Sequence, residues 1–121
     1  MKLRELYEAA IRHGIEVDPR GEERVRHELE RAKREFDELG EAERERFDRE
    51  RLTNPYADSR LLHGDGSIDV ESVAVGIDIE VGELLLVDRL RQRGQSVYVD
   101  WGHHPEGAAL ANLSDVMAMQ A

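Results

Sequence analysis

The 121 residues contain no cysteine. A disulfide framework and a thiolate metal site are both excluded, so any metal must sit on imidazole and carboxylate. Long apolar runs are missing as well. The opening MKLRELYEAAIRHG has no signal-peptide core, and no stretch approaches the roughly 20 apolar residues of a membrane span. A cytoplasmic protein is the simplest expectation. Positive charge is in deficit, with 17 Lys and Arg against 27 Asp and Glu and a formal net charge of −10. Such a surface repels phosphate backbones and anionic membranes, so neither nucleic acid nor membrane is expected as a partner. Phosphate loops of the GxGxxG or GxxxxGK[ST] type are absent, and no serine lies in a nucleophile elbow.

What is present falls into two halves. Residues 1–53 form a helical segment, and residues 54–121 have α/β character; together they make one domain or part of one. Leu3, Leu6, Tyr7, Ala10 and Ile11 mark one face of a first helix that Gly14 is placed to end. Asp18-Pro19 reads as the N-cap and first position of a second helix. Val25, Leu29, Ala32, Phe36 and Leu39 form its narrow seam, and Gly40 stops it. On the opposite face Glu22 with Arg26 and Glu30 with Arg34 are spaced for ion pairs of about 0.2–0.5 kcal/mol each. Residues 41–52 continue as a third helical piece with Ala42, Phe47 and Leu52 inward.

Turn residues then dominate, with RLLH (60–63) between them as a short strand. VESVAVGID reads as a buried strand, VGELLLVDRLRQRG as a helix closed by Gly94, and SVYVDWG as a second strand. This is a βαβ unit with parallel strands and a right-handed crossover. ALANLSDVMAMQA reads as a final helix. Two strands leave open sheet edges, which call for cover by another chain.

Sites in open parallel sheets form beyond the carboxyl ends of the strands. Asp78 stands at that end of the first strand, and His103 and His104 at that end of the second. Asp100 lies within the second strand, on the face opposite Val97, Val99 and Trp101. Pro105 favours extended backbone at His104, which would turn the two imidazoles to opposite sides unless the loop bends at Gly102. Imidazole with carboxylate suits zinc, iron, manganese or nickel, and water on such an ion becomes a nucleophile near neutral pH. His63, in LLHGDG, could fold towards the same rim.

Residues 54–120, from the NPYADSRLLHGDGS loop through the strand ending in Asp78, the helix, the second strand and His103-His104-Pro105, resemble the amino-terminal part of the Nif-three-like family, also described as GTP cyclohydrolase type 2 homologues. The resemblance implies an incomplete portion of a larger α/β fold, a homo-oligomeric ring, and a dinuclear metal centre in which His103 and His104 are ligands. It also implies a metal-dependent hydrolase acting on a nucleotide or other small phosphorylated compound. Three departures weaken that reading. The later aspartate and His-x-x-x-Glu ligands of the family are missing, Gly102 stands where serine is usual, and Asp100 and Trp101 interrupt an aliphatic strand. Asp78, Asp100 and His63 are the local candidates for further ligands or for orienting groups. The alternative is a non-catalytic oligomerisation or protein-interaction module that keeps a remnant of the site.

Overall fold

A computed structural model describes residues 1–111 of the chain. Its elements are α1 (Leu3–Glu16), α2 (Glu22–Glu38), the short α3 (Glu41–Arg44), a 3₁₀ turn (Arg49–Leu52), β1 (Ser72–Gly76), α4 (Val81–Gln92), β2 (Val97–Gly102) and the first turn of α5 (Gly107–Ala111). Three of the helices start in the same way. A glutamate in the first turn accepts a hydrogen bond from the N–H of the residue preceding the helix: Glu5 from Lys2 at 2.8 Å, Glu43 from Gly40 at 3.0 Å, and Glu83 from Glu80 at 3.0 Å. Each satisfies a backbone donor that the helix cannot, and each places negative charge at the positive end of the helix dipole.

The seam of α2 faces inward as its spacing predicts. Val25 and Ala32 are buried and Leu29, Phe36 and Leu39 half-buried, while the charged residues between them are mostly exposed. Phe36 meets Phe47 with ring centroids 5.2 Å apart, which docks the chain after α3 back onto α2. The charges on the outer face pair differently from expectation. Arg26 reaches Glu30, Lys33 reaches Asp37, and Arg31 reaches back to Glu28.

Two expected helix boundaries are corrected. Gly14 does not end α1, which continues to Glu16. A Cβ at Gly14 would lie 3.1 Å from the ring of Tyr56, so glycine is there to let an aromatic side chain from a distant segment approach the helix. Nor does Asp18 cap α2. Its carboxylate takes the Arg20 guanidinium through two bonds of 2.9 and 2.7 Å, the Arg20 N–H at 2.9 Å and the Tyr56 hydroxyl at 3.0 Å. The chain enters α2 one turn later, through Gly21 at φ +85°.

The expected strand at residues 60–63 is also absent; these residues form no sheet bonds because Arg60 is drawn inward instead. Its side chain is only 7% exposed, bonded to Asp48 and to the carbonyls of Tyr56 and Ser59. Beside it the buried Asn54 donates to the Tyr7 hydroxyl and the Ser59 carbonyl and accepts from the Tyr56 N–H. Tyr7 in turn donates to Glu50 at 2.6 Å. This polar network joins α1 to the 3₁₀ turn and the loop beyond it, and its members satisfy one another.

The βαβ unit has the expected topology. β1 and β2 pair in parallel, with Val73 opposite Val99, Ala74 opposite Asp100, Val75 opposite Trp101 and Gly76 opposite Gly102. Val87 of α4 and Val99 of β2 are its buried centre. The helical half meets this unit through residues 1–4, which run antiparallel to 66–70. Leu3 N–H bonds Ile68 O, Arg4 N–H bonds Gly66 O, Val70 N–H bonds Met1 O, and Lys2 Nζ meets Asp69 at 2.7 Å. Gly66, at φ +80°, gives the room this needs, because a Cβ there would stand 2.9 Å from Arg4 Cβ. The final predicted helix begins at Gly107; its remainder lies outside the described residues.

Candidate functional site: the rim beyond the strands

Past Gly76 and Gly102 the two chains stay side by side. His103 N–H donates to Gly76 O at 2.9 Å and His104 N–H to Ile77 O at 2.8 Å, so the parallel ladder runs on into the loop. Ile79 folds back over both glycines; a Cβ at Gly76 or Gly102 would lie 3.0 or 3.3 Å from its side chain. The absence of side chains at this pair is what lets the loop close onto the sheet, and it sets Asp78 beside the histidines.

His104 Nδ1 lies 2.8 Å from Asp78 Oδ1, with both side chains more than half exposed. Bonding to a carboxylate through Nδ1 leaves Nε2 as the outward-facing nitrogen, the arrangement in which a carboxylate orients a metal-binding imidazole. The two histidine rings are not turned to opposite sides. Their centroids are 5.4 Å apart at an interplanar angle of 38°. Residues 103 and 104 bend, and an extended backbone is what the opposed arrangement would have required.

Asp100 does not join the rim. One of its carboxylate oxygens is buried with no hydrogen-bond partner among the described residues, and loss of hydration raises its pKa. His63 remains in an exposed turn. Among the described residues no group of three or more His, Asp or Glu side chains could hold a metal ion. The residues present therefore fit part of a metal site, two imidazoles and one orienting carboxylate, and do not fit a complete dinuclear centre. No hydrolytic step can be derived from them.

Features with no sequence motif stand elsewhere. The Asn54 network and a cleft rich in arginine lie where the loop after the 3₁₀ turn meets α1 and α2, assembled from segments far apart in the chain. No helix among the described residues is long and apolar enough to cross a membrane. Comparison with models of protein families, with curated proteins and with solved structures finds no match for this chain.

Proposed function

We propose that this chain is an assembly module whose βαβ unit is covered by a second copy of itself. The observation that carries the reading is the apolar surface left open there. Val75 is 75% exposed and its cross-strand partner Trp101 41%, while Leu84, Leu85 and Leu86 on α4 are each at least half exposed. Single exposed apolar residues are ordinary, but patches of them mark interaction sites, and among the described residues both strands of the pair are also sheet edges.

Area supports a partner of this size. The chain exposes 8892 Å² at 13.8 kDa, against about 6,600 Å² for a compact monomer of that mass. Residues 112–121 could account for at most about 1,600 Å² of this, the exposure of ten residues of unfolded chain. A surplus of about 700 Å² remains, close to the roughly 800 Å² that each partner buries in a standard interface. Charge does not oppose like meeting like at this surface. Two chains of net charge −10 repel over most of their exteriors, and Val75, Trp101 and Leu84–Leu86 carry no charge.

Light scattering coupled to size exclusion tests the reading. The chain at high micromolar concentration is expected to run as a dimer or larger. Leu85→Glu and Val75→Glu, both at positions already exposed, are expected to give a monomer with an unchanged far-ultraviolet spectrum. A wild-type chain that stays strictly monomeric overturns the proposal.

The bond between Asp78 and His104 favours a second reading, capture of a divalent transition metal at the rim. His103 and His104 would be ligands, Asp78 would orient His104, and the missing ligands would come from outside the described residues. Zinc, iron, manganese and nickel are the candidates that suit imidazole. In this reading the Nif-three-like resemblance extends to metal binding, and hydrolysis of a small phosphorylated substrate would need the absent ligands.

A further inference from the structure

A cleft lined by guanidinium groups opens between α2 and the segment after the 3₁₀ turn. It encloses about 260 Å³, and its wall includes Arg20, Arg24, Glu28, Arg31, Arg51 and Arg60. Five positive side chains thus face one carboxylate, in a chain whose overall charge is −10. The space lies just below the roughly 300–1,000 Å³ of clefts that take drug-sized ligands, so it limits the occupant to a smaller molecule.

Four other carboxylates pair with these arginines: Asp18 with Arg20, Glu35 with Arg51, and both Asp48 and, at 3.9 Å, Glu50 with Arg60. These acids are unevenly placed along the wall, since two of them serve Arg60 and one of those two, Glu50, also reaches Arg4. A local surplus of positive charge arises at Glu28, which serves both Arg24 and Arg31. Arg31 lies 2.7 Å from it, whereas Arg24 is 4.0 Å away, beyond hydrogen-bond distance. Arg24 and Arg31 are also mostly exposed, so their heads can reorient at little cost to the fold. Arg60 is the opposite case, a fixed element of the inner wall held by Asp48 and two carbonyls.

We propose that this cleft binds a small phosphorylated molecule, with its phosphate held by Arg24 and Arg31 and its organic part against Leu29 and Pro55, which line the same cleft. A phosphate monoester carries a charge of about −1.5 to −2 near neutrality and offers three acceptor oxygens. It therefore competes with the single charge of Glu28 for the two guanidinium groups, whose planar forks suit it. A carboxylate ligand has no such advantage over Glu28. A nucleic-acid strand is too large for the cleft and is repelled by the rest of the chain.

Isothermal titration calorimetry of the whole chain at low ionic strength, with inorganic phosphate and phenyl phosphate as probes, tests this. Saturable binding is expected, tighter for phenyl phosphate than for phosphate because of the apolar contacts. Arg24→Ala/Arg31→Ala should weaken it at least tenfold while leaving thermal unfolding unchanged. The control Arg89→Ala/Arg93→Ala, on exposed residues at the end of α4, removes the same charge and should change affinity less than twofold. Lack of binding at millimolar probe, or equal weakening by the two double variants, overturns the proposal. The first result would leave the arginines as ion-pairing groups only, and the second would reduce the effect to diffuse charge.

Discussion

Asp78 Oδ1 and His104 Nδ1 lie 2.8 Å apart across 26 residues of chain. The crossover through α4 is what closes that distance, since it returns β2 parallel to β1 with the two carboxyl ends level at Gly76 and Gly102. The backbone bonds from His103 and His104 to Gly76 and Ile77 then hold the two loops in register. The carboxylate selects the tautomer of His104 with hydrogen on Nδ1 and fixes the ring plane.

That relationship predicts the order in which variants lose metal. Zinc added to chelator-treated protein is expected to raise the melting temperature, and His103→Ala or His104→Ala to abolish the rise. Asp78→Asn should keep it with affinity lowered about 10- to 100-fold, as for other groups that orient a ligand without binding metal. Thermal melts across a zinc titration measure all three, and wild-type protein indifferent to zinc, manganese, iron and nickel would sink the metal reading.

Gly14→Ala is expected to destabilise the protein although it improves a helix. Alanine gains about 1 kcal/mol over glycine in a helix interior, while forcing a methyl group into a packed contact costs about 1–3 kcal/mol. The contact decides the sign here, because the Tyr56 ring 3.1 Å away is tethered by its hydroxyl to Asp18 and cannot simply withdraw. Chemical denaturation of Gly14→Ala, Tyr56→Phe and the double variant checks the account. The glycine substitution should cost less in the Tyr56→Phe background; equal cost in both would show that the tether is irrelevant.

Stability should fall at both ends of the pH scale for named reasons. The two bonds from Arg20, with the Tyr56 hydroxyl, hold the buried Asp18 carboxyl well below the ordinary carboxylate range. Its contribution is therefore complete above its unfolded pKa of about 4 and is lost as pH falls below that towards the folded value. Tyr7 and Tyr56 are pushed the other way, each up to about 12, first by burial and then by their carboxylate partners. What they contribute is present below about pH 10 and disappears as pH rises through 12. Urea unfolding from pH 2 to 7 should show a shallower acid limb in Asp18→Asn than in wild type; parallel limbs would rule the assignment out.

The seam of α2 and the βαβ unit were legible in the sequence because they rest on local periodicity and one short crossover. Asp78, His103 and His104 could be placed on one rim for the same reason. Asp18 misled because a single residue type serves both as helix cap and as ion-pair partner, and only the positions of Arg20 and Tyr56 decide between them. Gly14 misled because a glycine that ends a helix and one that admits a neighbouring ring look alike. The arginine cleft and the Asn54 network have no local signature, since their members meet only when the loop after the 3₁₀ turn folds onto α1 and α2. A glutamate at the third helical position recurs at Glu5, Glu43 and Glu83, and would have located three helix starts.

The pairing of residues 1–4 with residues 66–70 bears on the order of folding. Translation delivers the first of these segments more than sixty residues before the second. Helices α1 and α2 can form on the emerging chain from nearby contacts alone, but residues 1–4 cannot make this pairing until residues 66–70 have been made. Closing so long a loop is an entropic cost that local helix formation does not bear. The two halves should thus be joined late, by the earlier-made of the two pairing segments.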